Sequence, residues 1–262
     1  MKMRGELVTL QVSHGSHVKC RGARFSHLSR PVHRRQVLQN ASLGFLTSWL
    51  PFSKMTAKAQ FHPEQKWWRS DTVAVVTGAN KGIGFGIAKL LAEQGLTTVV
   101  AARNEELGRK AVHSLQESTG SKSVHFLRLD ITDESSVKHF AASLEAEFGG
   151  VTIVVNNAGF AHKDDFVTAI KTDKLGSSGW PKSMYGVSKL LETSYTRILA
   201  EQLKSAGVMV NACCPGYVDT DMTSHKGVKT LEEGADTPVW LALTPPGGPR
   251  GKLFAERKQI PF

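Results

Sequence analysis

Tyr185 and Lys189 stand four residues apart in YGVSK. On a helix that spacing puts both side chains on one face, a turn apart. A phenol ionises near pH 10 on its own, so a neighbouring ammonium is what would let it handle protons at neutral pH. The spacing fits a proton-transfer pair; it fits equally a surface helix with an incidental Tyr/Lys pair. A second set is Gly78, Gly82 and Gly84 in TGANKGIG. Glycine allows sharp backbone turns and lets a phosphate approach where a β-carbon would stand in its way. A helix starting near Gly82 would aim its unpaired N–H groups and positive dipole end at that phosphate.

Both sets need elements to position them. Val73-Ala74-Val75-Val76 is continuously apolar, as a parallel strand covered on both faces should be. The glycine turn follows, and then a helix with the stripe Ile83, Ile87, Leu90 and Leu91. Further strands are expected at 97–102, 124–129, 151–155 and 208–213. Helices are expected from Asn104, over 135–148 and over 184–206. Alternation of short apolar strands with helices predicts an α/β fold, a Rossmann-type doubly wound parallel sheet, with ligands at the carboxyl ends of the strands.

The end of the second strand bears on the ligand. An acid there would accept from a ribose 2′-hydroxyl, but the chain reads Ala101-Ala102-Arg103-Asn104. Arg103 and Lys81 could both face a 2′-phosphate instead, or stand as two solvated surface cations. Asp130, ending the third strand, could accept from an adenine amino group or cap the next helix, as Thr132 or Asp133 could too.

The 262 residues, 40% hydrophobic, suffice for one sizeable domain. The net charge of +10 is unevenly spread. Residues 1–60 hold ten Lys and Arg against Glu6, which is +9; residues 61–262 hold 23 basic and 22 acidic residues, which is +1. No basic stripe with interleaved aromatics follows residue 60, so no nucleic-acid partner is expected. Residues 1–60 read as a targeting or disordered leader, rich in Arg, Ser and His, and residues 61–262 as the globular domain. The stretch 37–52 is too short and polar for a membrane span. Import into the chloroplast or another organelle is the expectation, with a cytoplasmic form starting at Met55 as the alternative. Arg34-Arg35 with Ala57-Lys58-Ala59 also permits an export signal. Cys213 and Cys214 lack metal-site spacing and read as small strand residues.

Four motifs in order, TGANKGIG, NNAG at 156–159, YGVSK and CCPGYVDTDM at 213–222, make the chain resemble the short-chain dehydrogenase/reductases. It is most similar to their monomeric NADPH-dependent carbonyl reductases and the plant menthone- and salutaridine-reductase type. That resemblance implies an NADPH-dependent oxidoreductase acting on a small-molecule ketone, aldehyde or quinone, monomeric, without metal or membrane. It implies Tyr185 as general acid and Lys189 as the cation that lowers its pKa and binds ribose. It further implies that Gly78, Asn80, Lys81, Gly82, Ile83, Gly84, Arg103, Asp130, Ile131, Asn157, Ala158 and Gly159 line the adenosine and pyrophosphate side. Pro215, Gly216, Val218 and Thr220 would hold the nicotinamide, and residues 224–233 would form a substrate lip.

One part of the family pattern does not fit in the chain. Relatives place a long helix, a fifth strand ending in a catalytic serine, and an insertion between NNAG and the tyrosine helix. Residues 160–184 are too few for these, and the join falls near Lys163-Asp164. Ser177, Ser178 and Ser183 are the serines nearby, and none ends a strand. The sheet is therefore expected either to keep an unpaired slot beside the fourth strand or to close up around it. The rivals to the enzyme are a catalytically impaired NADP-binding protein and a truncated product of splicing or gene processing.

Overall fold

The computed structural model describes residues 3–12, 66–159 and 184–261, and for 3–12, 184–188, 190 and 191 the backbone course alone. Its elements are β1 (Met3–Val12), β2 (Val73–Thr77), α1 (Gly82–Glu93), β3 (Thr97–Ala102), α2 (Glu105–Thr119), β4 (Val124–Arg128), α3 (Glu134–Phe148), β5 (Val151–Asn156), α4 (Met184–Gln202), β6 (Met209–Cys214), α5 (Leu231–Ala242), β7 (Leu253–Ala255) and β8 (Lys258–Ile260). They belong to one compact unit, Met1–His17 with Phe61–Phe262.

The apolar runs are strands because a parallel sheet covered on both sides has no solvent face. All five residues of β2 are buried. Ala74 and Val76 pack toward one face with Ile87 and Leu91 of α1, Leu115 of α2 and Leu241 of α5. Val73 and Val75 pack toward the other, with Leu144 of α3 and Ala200 of α4. Two tryptophans tie the start of the domain to this body. Trp67 Nε1 donates to the Leu243 carbonyl at 3.0 Å and Trp68 Nε1 to the Gln94 carbonyl at 3.2 Å.

The strand order is β4-β3-β2-β5-β1-β6-β7-β8. All pairings are parallel except that of β7 with β8. The doubly wound sheet thus stands as expected, with one difference at its centre. Beside β5 there is neither an unpaired slot nor a closed-up β6. Residues 3–12, which composition assigns to the leader, fill that position. β1 pairs with β5 from Val8↔Ile153 to Gln11↔Asn156 and with β6 from Val8↔Met209 to Val12↔Cys213. The physical reason is the cost of unpaired backbone: an empty slot would strand the N–H and C=O groups of both neighbours. The rest of the leader, and the stretch 160–183 with its three serines and the expected join, lie outside the described residues.

Candidate functional site

The carboxyl ends of β2, β3, β4 and β5 surround a cleft of about 470 Å3. Its floor is built by Thr77. The buried hydroxyl accepts from the amides of Asn157 at 3.0 Å and Ala158 at 2.9 Å. Asn157 Nδ2 returns a bond to the Thr77 carbonyl at 3.0 Å. These bonds clip the end of β5 to the end of β2, so the NNAG tetrad and the glycine turn move as one piece.

The turn needs its glycines for different reasons. Gly78 and Gly82 have φ of +66° and +60°, where a β-carbon is strained. A β-carbon on Gly84 would lie 2.4 Å from Asn157 Nδ2 and 2.7 Å from the Gly78 carbonyl. Gly84 is therefore the packing contact that lets α1 sit against the floor. Over Gly82 the space is open, with only Thr220 Cγ2 within 4 Å, at 3.8 Å.

The amino end of α1 is prepared for an anion. Helices α2, α3 and α5 each have a side-chain cap, from Asn104, Asp133 and Thr230, and acids in the first turn. α1 has no side-chain cap and no acid in its first turn. Among the described residues no side chain caps its first N–H groups, and its dipole's positive end lies at the cleft. An open space above a positive-φ glycine at such an end fits a dinucleotide's phosphates.

The cleft gathers Gly78, Asn80, Lys81, Gly82, Ile83, Arg103, Asp130, Ile131, Asn157, Ala158, Gly159 and Thr220, all anticipated from sequence. Gly84 lies beneath it, and Pro215 and Val218 are buried behind it. Gly216 has φ +86° and lies against the Lys229 side chain. No acid stands at the end of β3, where Arg103 follows Ala102. The Asp130 carboxylate is neither buried nor a helix cap; it accepts from the Thr132 amide at 3.0 Å and hydroxyl at 2.7 Å. These bonds, with smaller help from Arg103 and Arg128, hold its pKa below the ordinary value.

Lys81 is placed at the cleft but is engaged elsewhere. Its ammonium donates to Asp221 Oδ2 at 2.8 Å. His225 joins the same group, with Nδ1 2.7 Å from Asp219 Oδ1 and Nε2 3.4 Å from Asp221 Oδ1. Asp219, Asp221, Met222 and His225 all line the cleft; sequence reasoning missed the first three and placed His225 only within the expected lip. The signal available was the continuation VDTDM after Pro215-Gly216. Part of the expected lip is ordered by this network and by the bridge between Val218 and Lys229.

Lys189 lies on α4 with its side chain 14% exposed, 2.7 Å from Glu192 Oε2. Its ammonium is so close to Gly159 that a β-carbon there would be 3.4 Å away. The cation thus stands at the NNAG end of the cleft. Tyr185 precedes it by one turn in the first turn of α4; its side chain lies outside the described residues. Cys213 is fully buried, which pushes its thiol far above the usual range and leaves it unreactive. Among the described residues there is no cluster of metal-ligating side chains and no helix long and apolar enough to cross a membrane.

The short chain dehydrogenase family model matches residues 72–176 and 174–230. Carbonyl reductase (NADPH) 3 of Mus musculus is 34% identical over 268 positions, covering 71% of this chain and 96% of its own. Carbonyl reductase (NADPH) 1 of Rattus norvegicus is 32% identical over 273 positions, covering 72% and 98%. The solved salutaridine reductase of Papaver somniferum aligns with TM-score 0.63 and 25% identity, covering 71% and 99%. The mouse alignment carries a gap: 71% of 262 residues is about 186, so about 80 of its 268 positions have no partner here. The family match itself divides at residues 174–176, between the NNAG tetrad and Tyr185.

Proposed function

Because this chain belongs to the short-chain dehydrogenase family, a family of oxidoreductases, we propose that it binds NADPH in this cleft and reduces a small ketone, aldehyde or quinone. The observation that carries the reading is one cleft joining a glycine cradle, a helix end without a side-chain cap and two cations, Lys81 and Arg103. The backbone of Gly82 and Ile83 receives the pyrophosphate. Arg103 takes the 2′-phosphate, and Lys81 joins it by exchanging its bond to Asp221 for one to phosphate.

A bound reduced nicotinamide supplies the hydride. Tyr185 gives its phenolic proton to the carbonyl oxygen as the carbon is reduced, so the product is an alcohol and the residue left is a phenolate. Lys189, one turn along α4 beside Gly159, provides the positive charge that stabilises that phenolate. The wall from Pro215 to Thr220 orients the nicotinamide face.

The purified full chain is mixed with NADPH and a panel of ketones, aldehydes and quinones, and loss of reduced-nicotinamide absorbance is followed. Turnover that Tyr185→Phe lowers by at least about a hundredfold is the expected result. Equal rates in the variant would remove Tyr185 from the acid role. A second reading, a cofactor-binding protein without turnover, draws on the shortness of residues 160–184, which leave no room for the strand expected to end in the family's serine. It holds if NADPH binds and no carbonyl is reduced.

A further inference from the structure

β1 is unusual for an inner strand of a parallel sheet. Inner parallel strands are joined to their neighbours by crossovers of a dozen or more residues, usually a helix packed on the sheet. β1 instead precedes β2, the first strand of the glycine turn, with residues 13–72 between them. It is nevertheless paired on both edges, Thr9 with Val154 on one side and Val210 on the other, Gln11 with Asn156 and Ala212. Its hold on its neighbours comes from two ladders, and neither β5 nor β6 is its neighbour in the order of described elements.

Its two neighbours have separate routes into the body. β5 is clipped to β2 through Ala74↔Ile153 to Val76↔Val155. β6 is held by β7 through Ala212↔Leu253 to Cys214↔Ala255. Each keeps one partner when β1 leaves, and each then presents an open edge across a groove one strand wide, about 10 Å between neighbours. Such a groove is an acceptor for an extended peptide, the strand-addition mode of recognition.

We propose that the space between β5 and β6 is a strand-acceptor site whose ligand is an extended peptide in parallel register, and that its occupant is this chain's own Met3–Val12, held as a detachable donor strand. The occupant is set by the sequence on the page: in residues 7–12, LVTLQV, every residue but Gln11 is apolar or β-branched, and the ladders run through them. The leader's first residues therefore stay with the functional protein. Cleavage anywhere in residues 18–60 leaves β1 in place without a covalent bond, and its loss empties the groove. Because β5 runs into Asn157 and β6 into Pro215, the donor strand also sets the spacing between the two halves of the cleft.

The full chain is made with a specific protease site inserted between Gln39 and Asn40, cleaved after folding, and passed through gel filtration. The amino-terminal fragment is expected to co-elute with the body. A fluorescent synthetic peptide of residues 1–14 should displace it at excess, and the same peptide with Thr9→Pro, which lacks one ladder N–H, should bind at least about tenfold more weakly. Free separation of the fragment, with the body's melting temperature unchanged, would overturn the proposal. Equal competition by the Thr9→Pro peptide would overturn it as well. An intact chain that elutes as a dimer and becomes a monomer on Thr9→Pro would assign the donor to a second copy and overturn the assignment to the same chain. None of these readouts depends on turnover or on NADPH.

Discussion

The hydroxyl of Thr77 accepts from two backbone amides, that of Asn157, which also reaches the Val155 carbonyl at 3.1 Å, and that of Ala158. Thr77→Val keeps the shape and removes the acceptor, leaving the Ala158 amide without it while Asn157 keeps the Val155 carbonyl. A buried unsatisfied donor costs about 1–3 kcal/mol, so urea unfolding should show a loss of that size, and Thr77→Ser should recover most of it. An unchanged midpoint in Thr77→Val would mean the clip is not part of the folded state's stability. The Lys81–Asp221 pair makes a different prediction, because both side chains are well exposed and the pair contributes little to stability. Its effect is on the ligand. The Asp221 carboxyl is held below its ordinary pKa, first by Lys81 and then by His225. For an acid shifted downward, the interaction is intact above the unfolded value and is lost only as pH falls through the lowered folded value. The pair therefore persists from about pH 5 to 8, and with Lys81 in its proposed role it would compete with a 2′-phosphate throughout. Asp221→Asn should tighten NADPH severalfold and NADH much less, read by nicotinamide fluorescence titration. Equal tightening of both would sink the idea of competition. Neither the pairing of Asp221 with Lys81 nor that with His225 was legible in the sequence. Gly78, Gly82 and Arg103 are local features of the consecutive elements β2, α1 and β3, whereas an ion pair between residues 81 and 221 exists only once distant segments meet.

At the scale of elements, α2 lies on β4 without room for a side chain between them. A β-carbon on Gly108 would fall 2.0 Å from Phe126 Cε2. Gly108→Ala should force the helix and strand apart and destabilise by about 1–3 kcal/mol despite alanine's better helix propensity. Phe126→Leu should restore part of that in the double variant. Additive losses in a calorimetric or urea double-mutant cycle would show that the two residues do not meet. The strands β2, β3 and β5 and their helices could be read from the chain because a strand buried on both faces is apolar along its whole length, and the helix after it carries a 3.6-residue stripe. β1 could not be read in the same way. Its LVTLQV run has strand-forming residues, but it lies in a basic, acid-poor segment whose composition points to a leader. What makes it a strand is a pair of edges supplied by residues 151–156 and 209–214, and no local pattern encodes a partner so far along the chain. The deficit was legible where the remedy was not: 25 residues between Gly159 and Tyr185 are too few for the family's long helix, fifth strand and insertion, which exposes the need for a donor without naming it.

The sheet makes one molecule out of segments that composition divides. Its strands run from residue 3 to residue 260, and the cleft draws on β2, β3, β4 and β5 together with the loop after β6. A ligand that bridges these ends stabilises every element between them, provided the unfolded chain does not bind it. At a hundred times Kd, such linkage contributes about 2.7 kcal/mol. In a chain of this length each kcal/mol shifts the midpoint by about 2–4 °C, so saturating NADPH should raise the melting temperature by about 5–10 °C. NADH at the same concentration should raise it less, because it offers nothing to Lys81 and Arg103. Replacing both by alanine should collapse the two shifts onto each other while leaving the ligand-free melting temperature nearly unchanged, since no bond from the Arg103 side chain is seen among the described residues and the Lys81 pair is solvated. The measurement separates binding from catalysis: a full NADPH shift in a Tyr185→Phe variant is expected. A melting temperature indifferent to NADPH would mean that the glycine cradle and the open helix end of α1 do not form a nucleotide site.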